Sequence, residues 1–286
     1  MIFGAHMSIA GGVHRALERA RSISCEAVQI FTRNQLRWSA PALQEEEIEV
    51  FLKLKPGFKA VMAHASYLIN LASPEEDIHR QSIEALEEEM RRCCILGIPA
   101  LILHPGSHRG GGVEWGIGRF VEGACRVFAA VKDRGVRLTL ETTAGGGSTL
   151  GGSFEQLRDL LGALEAAGVP VGVCFDTCHV FAAGYELRNR CGYRATWKRF
   201  DRVIGRKHLV ALHLNDSRGV LGSARDRHEH IGRGRIGVSG FRRLVRDAAL
   251  AELPGILETP KSPDMREDVE NLRLLRALGG GRRQTA

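Results

Sequence analysis

The sequence predicts an α/β protein built on a single (β/α)8 barrel, the TIM-barrel architecture, with its active site at the C-terminal ends of the strands. Short apolar runs rich in Val, Ile, Leu and Ala alternate with longer segments of helical periodicity, and the apolar runs number eight. No Pro/Ser-rich linker or sharp charge shift interrupts the series. Eight parallel strands close a barrel, so we expect one barrel domain over residues 1–278 and a flexible basic tail over 279–286.

The predicted strands are IFGAH (2–6), AVQIF (27–31), AVMAH (60–64), ALILH (100–104), RLTLE (137–141), VGVCFD (171–176), LVALH (209–213) and GILE (255–258). Between them lie helical segments such as residues 74–97, with acidic residues in the first turn and arginines near the end, as the helix dipole favours. The segments starting at Ser153 and Asp264 have the same pattern. We therefore expect a helix in each of these places.

Composition places the chain among ordinary globular proteins. Of its 286 residues, 44% are hydrophobic and 26% are charged, which excludes disordered and fibrous classes for the chain as a whole. Lys and Arg outnumber Asp and Glu by 40 to 33. A basic balance favours a polyanionic partner, but a net charge of +7 also aids solubility, and charge alone does not separate the two explanations.

Cysteine usage and the N-terminus bear on the compartment. The seven cysteines are odd in number and scattered, and no secretory signal precedes them, so a disulfide framework is not expected. No stretch approaches the roughly 18 uninterrupted apolar residues of a membrane span. These observations predict a cytoplasmic protein with no membrane association.

Polar side chains that can bind metals end six of the predicted strands. Strands three to eight end on His64, His104, Glu141, Asp176, His213 and Glu258. A single strand-end histidine is more often a hydrogen-bonded core residue than a ligand. Six such ends, however, converge on the active-site face of a barrel and together predict a metal cluster.

Two local pairs add to this cluster. Asp176 and His179 are three residues apart, which suits one turn of helix, and Asp226 and His228 are two apart, which suits an extended loop. Nine candidate ligands exceed the needs of one ion. Because each zinc ion takes four or five ligands and carboxylates can bridge, the set suits two or three ions.

Longer motifs make a family resemblance specific. HASYLINLA (64–72), GVCFDTCH (172–179) and LHLNDSRGVLGSARDRH (212–228) resemble the three signature segments of the endonuclease IV family, also called AP endonuclease family 2. LETTAGGGSTLG (140–151), LHPGSH (103–108) and ILET (256–259) match its intervening blocks. The likeness extends from Gly4 to about Lys261 without a large gap.

The resemblance implies three zinc ions, with every ligand position filled. One ion would be held by His64, His104 and Glu141; a second by Glu141, Asp176, His213 and Glu258; and a third by His179, Asp226 and His228. It assigns the catalytic roles to Glu141 and Glu258. Manganese can also occupy mixed His/carboxylate sites of this kind, because ligand type alone separates the two metals poorly.

The implied reaction is hydrolysis of the DNA phosphodiester 5′ of an abasic site during base-excision repair. It would leave a 3′-hydroxyl and a 5′-deoxyribose phosphate. The implied partner is double-stranded DNA with abasic sites, and the implied assembly state is a monomer. Divalent ions suit this chemistry, because they activate water near neutral pH and neutralise the charge of the phosphodiester.

A missing base cannot be read directly, so such an enzyme would test how easily the duplex kinks and insert wedges into the stack. Tyr67 and Leu68 match family positions of this kind. In FTRNQLRW (31–38) the family commonly has Arg where this chain has Leu36, so either Leu36 inserts or the adjacent Arg37 substitutes. The segment GGGST (145–149) departs from the usual GQGSN, which predicts a looser loop with altered affinity or substrate range.

Arginines crowd the glycine-rich segment after strand seven, where close approach to a nucleic-acid backbone is feasible. They are Arg218, Arg225, Arg227, Arg233 and Arg235. We predict phosphate contacts from this segment. Simple surface charge is the alternative explanation.

Two other functions fit part of the pattern. A metal-dependent sugar isomerase or epimerase on a related barrel also gathers His, Asp and Glu, but it needs neither the His179, Asp226 and His228 set nor the arginine-rich segment. A non-catalytic zinc protein that binds damaged DNA would not need an open, complete ligand set. Neither alternative explains all of the motifs.

Overall fold

The computed structural model describes residues 1–131 and 135–280. Eight parallel strands close into a barrel in which β1 lies between β2 and β10, and the chain order of the strands is also their order around the barrel. The barrel strands are β1 Ile2–Met7, β2 Ala27–Phe31, β3 Ala60–His64, β4 Ala100–Leu103, β5 Arg137–Glu141, β6 Val171–Asp176, β7 Leu209–His213 and β10 Pro254–Leu257. The closure confirms the predicted fold class.

Helices connect successive strands and cover the outside of the barrel. They are α1 Val13–Ser22, α2 Glu45–Leu54, α3 Glu76–Leu96, α4 Val113–Ala130, α5 Phe154–Ala166, α6 Thr177–Ala182, α7 Arg190–Val203, α8 Gly237–Val245 and α9 Arg266–Leu278. Short 3-10 turns occupy Lys55–Gly57, Arg206–His208 and Ala248–Leu250. The predicted helix within residues 74–97 is α3, which ends where Gly97 takes a left-handed φ of 60°.

Two predicted helix starts have different outcomes. Ser153 caps α5, because its side chain accepts a hydrogen bond from the backbone N–H of Gln156 at 3.3 Å. The helix predicted from Asp264 begins two residues later, at Arg266. The reason is that Met265 has a left-handed φ of 58°, so it cannot be part of the helix.

Two predicted strands extend one residue too far. β4 ends at Leu103, and the following Pro105 has no N–H with which to continue the ladder. β10 ends at Leu257, because the N–H of Glu258 donates to the side chain of Asn215 at 2.8 Å rather than to a neighbouring strand. His104 and Glu258 therefore lie one residue beyond their strands.

A short antiparallel ribbon projects from the segment between β7 and α8. Its strands, β8 Asp216–Ser217 and β9 His228–Glu229, pair with Ser217 opposite His228. This ribbon was not predicted from the sequence. The pairing returns the chain to the barrel mouth and positions the end of the Asp226–His228 motif there.

The barrel interior is filled by small and medium side chains of the strands. They are Ala27, Met62, Ala100, Ile102, Cys174, Ala211 and Ile256. Gly4 of β1 allows the closest approach, because a Cβ there would lie 1.9 Å from the backbone oxygen of Ala27. A larger apolar cluster separates the strands from the helices. No helix in the described ranges has both the length and the apolar character needed to cross a membrane.

Candidate metal centre

The nine predicted metal ligands meet at the C-terminal mouth of the barrel. Four of them are the last residues of their strands, two follow a strand directly, one lies in the first turn of α6, and two lie at or next to the β8–β9 ribbon. The four strand-end residues are His64, Glu141, Asp176 and His213, and the two that follow a strand are His104 and Glu258. His179 lies in α6, and Asp226 and His228 lie at the ribbon. The barrel strands thus bring together residues that are up to 194 positions apart in the chain (258 minus 64).

Glu141 lies at the centre of the group and is fully buried. Its Oε2 atom is 3.0 Å from Nε2 of His64 and 3.1 Å from Nε2 of His104. Its Oε1 atom is 2.9 Å from Nδ1 of His213 and 3.2 Å from Nδ1 of His179. One carboxylate therefore faces two sets of histidines, which is the arrangement of a ligand that bridges two ions.

The donor atoms fall into groups that match the predicted three sites. His64, His104 and Glu141 form one group in which all the donor atoms lie within 4.8 Å of one another. Glu141, Asp176, His213 and Glu258 form a second. His179, Asp226 and His228 form a third.

In the third group, buried ring nitrogens lie close to carboxylate oxygens without hydrogen bonding to them. Nε2 of His179 is 3.0 Å from Asp226 Oδ2, and Nε2 of His228 is 3.2 Å from Asp226 Oδ1. Both ring nitrogens are buried and have no hydrogen-bond partner among the described residues. Donors that point at a common centre rather than at each other have the geometry that a shared cation requires.

The second ring nitrogen of four histidines is engaged outside the cluster. Nδ1 of His64, His179 and His228 lies 2.8, 2.8 and 3.1 Å from the backbone oxygens of Ala65, Thr142 and Glu258. In His213 the roles are reversed, since Nε2 lies 2.8 Å from Gln29 Oε1. A neutral histidine that donates through one nitrogen presents the other as a lone pair, so these contacts orient the rings for metal binding.

A fourth combination includes a thiol: Asp176, Cys178 and His228 also bring donor atoms within 4.8 Å. Burial raises the pKa of the Cys178 thiol to about 12, and its Sγ donates to the Arg227 carbonyl at 3.6 Å. A protonated thiol is a poor ligand. Asp226 is therefore the better third donor, and Cys174 and Cys178 are both buried, as expected of small core residues.

The carboxylates and imidazoles perturb each other strongly. Burial disfavours the charged form of Glu141, but the nearby His213 and His104 outweigh burial and hold its pKa well below the ordinary value. Glu258 behaves in the same way, with His213 as the main cause of its lowered pKa. Glu141 and Glu258 are therefore ionised, and their charge is balanced by protonated histidines or by bound cations.

The two histidines of the third group, His179 and His228, show the opposite shift of pKa. Burial lowers the pKa of His228, but Asp176 and Asp226 outweigh it and raise the pKa to about 9. The pKa of His179 also rises well above its ordinary value, because Asp176, Asp226 and Glu141 overcome burial. In a metal-free site these rings carry protons that a divalent ion would displace.

Gln29 supports the cluster from β2, a strand to which the sequence analysis assigned no site residue. Its Nε2 atom donates to Glu258 Oε1 at 2.6 Å and lies 2.9 Å from Nδ1 of His6. Its Oε1 atom holds His213. The sequence does carry a signal of this role, because Gln29 is the single polar residue in the apolar strand AVQIF. In the structure its side chain is fully buried.

Asn215 and Thr142 also orient metal ligands. Asp176 and Glu258 were predicted as ligands from the sequence, but these two supporting residues were not. Asn215 donates to Asp176 Oδ2 at 2.6 Å and accepts from the N–H of Glu258 at 2.8 Å. The Thr142 hydroxyl accepts from the N–H of Asp176 at 2.9 Å. These contacts hold the two carboxylates in fixed positions.

The predicted wedge residues lie at the rim of the mouth. Leu36 and Tyr67 are 68% and 61% exposed, although both are large and apolar or aromatic. The ring of Tyr67 is 5.8 Å from the ring of His64, next to the metal-ligand cluster. Arg37 is exposed, and Leu68 is half-buried. Two loops thus present apolar surface directly beside the site.

The arginine-rich segment lies on another side of the mouth. Arg218, Arg225, Arg227, Arg233 and Arg235 are all exposed. Arg218 pairs with Glu229 at 3.0 Å and Arg233 with Glu270 at 3.1 Å. Two of the five predicted phosphate contacts therefore have carboxylate partners within the protein.

Asp216 holds this segment in place, a role that the sequence analysis missed. Its buried carboxylate accepts from the N–H groups of Gly232, Gly234 and Ile236 at 2.9 to 3.0 Å, and also from Gly237. At Gly234 a Cβ would lie 2.5 Å from Asp216 Oδ1, so only glycine fits there. An aspartate three residues after β7 and ahead of a glycine-rich run is the only sequence signal of this clamp.

The loop predicted to be loose makes specific contacts. Ser148 Oγ lies 2.8 Å from Ser107 Oγ, and the Ser148 carbonyl accepts from the N–H of His108 at 3.0 Å. Gly146 faces the arginine-rich segment closely, since a Cβ there would lie 2.7 Å from the Ala224 oxygen. The residue that replaces the family's glutamine thus allows two loops to approach each other.

Comparison with known proteins agrees with this geometry. The family described as "Xylose isomerase-like TIM barrel" matches residues 17–278. The chain is 46% identical over 281 residues to the "Probable endonuclease 4" of Chloroflexus aurantiacus, covering 98% of each chain. Among solved structures, endonuclease IV from Thermus thermophilus superposes with a TM-score of 0.86 at 36% identity, covering 97% of this chain and 98% of that one.

A more distant structure shows only that the fold is shared. A D-tagatose 3-epimerase-like protein has a TM-score of 0.71 at 17% identity, covering 98% of each chain. The much higher identity to the endonucleases, over nearly the whole length, separates this chain from the sugar epimerases. The chain belongs to the xylose isomerase-like TIM-barrel family and, within it, to the endonuclease IV family.

Proposed function

We propose that the protein is an AP endonuclease that binds three zinc ions and hydrolyses the DNA phosphodiester 5′ of an abasic site. The observation that carries the proposal is the cluster of nine donors in three groups, joined by the bridging position of Glu141. Five imidazoles and four carboxylates, beside a Cys178 thiol that stays protonated, form a donor set that suits zinc and also tolerates manganese.

Bound divalent ions would supply water activation and charge neutralisation at the phosphate. The residues of the chain hold the ions, orient the substrate and keep the carboxylates ionised. Glu258 is the second-group ligand on the open side, since its side chain is 14% exposed whereas those of Glu141 and Asp176 are fully buried. Gln29 and His213 hold its two oxygens in fixed positions, so Glu258 is placed at the open side of the cluster to orient an attacking water.

DNA contacts are assigned to the exposed residues around the mouth. Tyr67, Leu68 and Leu36 or Arg37 would enter the kinked duplex on one side, where the apolar loops lie beside His64. On another side, Arg218, Arg225 and Arg227 would contact phosphates. We further propose that the enzyme acts as a monomer in the cytoplasm; the cytoplasmic location is supported by the seven cysteines, which form no disulfide with one another.

The test is incision of an end-labelled duplex that contains one stable abasic analogue. The wild-type protein is compared with Glu258→Gln and with Glu122→Gln, a matched change at a surface glutamate that pairs with Arg119. Each protein is assayed as purified, after prolonged chelation, and after addition of zinc or manganese. We expect cleavage 5′ of the analogue with a 3′-hydroxyl end, lost by chelation and by Glu258→Gln only.

Two results would count against the proposal. A 3′-phosphate or an unsaturated aldehyde product would show a different chemistry. Folded, metal-loaded protein that leaves the duplex intact under every metal would direct attention to sugar isomerisation, which the related barrel of the epimerase-like protein makes the next activity to assay.

A further inference from the structure

A buried ion pair lies beneath the two apolar loops at the rim. Arg33, two residues after the end of β2, and Glu89, on α3, have side chains that are each 1% exposed, and Arg33 Nε lies 2.9 Å from Glu89 Oε1. Within residues 1–131 and 135–280, neither side chain hydrogen-bonds to one of the nine candidate metal ligands. Both nevertheless lie on the side of the barrel mouth that carries Leu36 and Tyr67.

The pair hydrogen-bonds to the backbone of both loops. Arg33 Nη1 donates to the carbonyls of Arg37 and Trp38 at 2.8 and 2.9 Å. Glu89 Oε1 accepts from the N–H of Ser66 at 3.0 Å, directly before Tyr67. One ion pair therefore links the loop of residues 31–41 with the loop of residues 64–70.

Two further contacts complete the connection. The Ser66 hydroxyl donates to the carbonyl of Gln35 at 2.7 Å and accepts from the N–H of Leu68 at 3.2 Å, so the loops also contact each other directly. Arg92, one turn after Glu89 on α3, donates to the carbonyls of Thr32 and Pro41. The first loop is thus fixed at its start, middle and end.

A buried ion pair is a poor source of net stability, because desolvation offsets most of the attraction and an apolar pair of similar volume is often as stable. What an apolar pair cannot supply is directional bonding to backbone groups. The contacts of Arg33 and Glu89 fall on the backbone of Arg37, directly after Leu36, and on that of Trp38 and Ser66, the latter directly before Tyr67. This distribution indicates a role in positioning rather than in folding.

We infer that Arg33 and Glu89 are positioning residues that fix the spacing of the two rim loops. They would thereby determine the affinity of the enzyme for a duplex kinked at the abasic site. The inference rests on the proposed function, because it takes the rim loops as DNA contacts. The two residues act through the loops and do not touch the reacting atoms.

The decisive variant replaces both charges at once. Arg33→Met/Glu89→Leu keeps the buried volume similar and leaves no unpaired charge, but three backbone groups of the loops lose their partners. We therefore expect a melting temperature a few degrees below that of the wild type and an unchanged zinc content. With only the Ser66 and Arg92 contacts left to hold the loops, KM for the abasic duplex should rise about tenfold while kcat changes less than about threefold. The matched control is Lys59→Met/Glu26→Leu, a surface pair at the opposite end of the β2 and β3 strands.

Hydrogen exchange gives a readout that a purely structural role would not produce. Amides of residues 31–41 and 64–70 should exchange faster in the double variant, whereas amides of the barrel strands should be unchanged. If the double variant does not fold, Ser66→Ala removes the direct link to Gln35 and the contact to the Leu68 N–H, and should raise KM about threefold. This variant tests the same inference with a smaller change to the buried structure.

The outcomes separate this inference from the proposed function. Wild-type protein that neither binds nor cuts the abasic duplex would overturn the proposed function and this inference with it. Active wild type, together with unchanged KM and unchanged loop exchange in both Arg33→Met/Glu89→Leu and Ser66→Ala, would overturn the inference alone.

Discussion

The metal-ligand cluster and the rim loops are held in place by different means. Every strand-end ligand gains its position from the parallel ladder, in which each strand is paired on both sides. The rim loops have no such ladder within the described ranges. Their exposed side chains depend on single buried charges, Arg33 and Glu89 under one side of the mouth and Asp216 under another. The positions of the metal ligands are thus set by the barrel itself, whereas the binding of DNA depends on loops that a few separate contacts hold in place.

This difference implies that the two regions respond differently to substitution. A change in the cluster leaves neighbouring buried charges without partners, so its effect is large and includes metal loss. A change in a loop clamp frees a surface segment but leaves the barrel intact. We expect the first kind to abolish turnover and the second kind to weaken DNA binding.

The largest expected effect is that of Glu141→Gln. The carboxylate faces four histidines, and an amide can neither bridge two ions nor balance their charge. We expect a loss of at least one zinc ion per chain, measured by plasma emission spectrometry, and a fall in kcat on the order of 10³ or more. Glu155→Gln, at a surface glutamate paired with Arg199, serves as the control. Full zinc content and activity in Glu141→Gln would remove the bridging role.

The second effect is the pH dependence of metal binding. Because the metal-free pKa of His228 is raised to about 9, this ring is protonated at neutral pH, and an ion can bind only by displacing the proton. Below about pH 9 the affinity of the third group should therefore fall by about tenfold per pH unit for each proton displaced. The raised pKa of His179 adds to the same trend.

Zinc titration of chelated protein against a competing indicator, at several pH values between about 6 and 9, measures this dependence. Asp226→Asn is the informative variant. It removes one cause of the raised His228 pKa, so fewer protons should be released per ion bound, although the affinity itself also falls. Affinity that is flat with pH would contradict the protonated state of these rings.

Much of the cluster could be predicted from sequence because strand periodicity and strand ends are local signals. His64, Glu141, Asp176 and His213 end apolar runs and lie in the cluster for that reason. The loop clamps could not be predicted in this way. Arg33 and Glu89 are 56 residues apart, and each alone resembles an ordinary surface charge next to an apolar segment.

The ribbon β8–β9 illustrates the same limit. Two-residue strands are too short to show alternation, so nothing in the sequence distinguishes them from loop. Its position depends on pairing between Ser217 and His228 and on the Asp216 clamp, both of which are tertiary interactions. The motif that contains Asp226 and His228 was recognised, but its geometry was not predictable.

Asp216→Asn tests the clamp on the arginine-rich segment and should have the third-largest effect. The amide would turn N–H groups toward backbone N–H donors, leaving buried donors without partners. We expect the free energy of unfolding to fall by about 1–3 kcal/mol and the affinity for the abasic duplex to fall about tenfold, with zinc content unchanged. Urea unfolding and fluorescence anisotropy measure the two. Asp159→Asn, at an exposed aspartate paired with Arg158, should change neither the free energy of unfolding nor the affinity for the abasic duplex.

The smallest expected effects are those of Leu36→Ala and Arg37→Ala. Together they show which of the two residues contacts DNA at the position where the family commonly has arginine. Leu36 is exposed and is held to the loop through its backbone N–H, so Leu36→Ala should leave stability within about 0.5 kcal/mol of the wild type. If Leu36 is an apolar wedge, this change weakens binding of the abasic duplex about threefold to tenfold without altering the salt dependence. If Arg37 is the contact, Arg37→Ala instead lowers the slope of log affinity against log salt by about 0.9. Anisotropy titrations over a series of salt concentrations separate the two, because an apolar contact releases no counterions and a phosphate contact must release them.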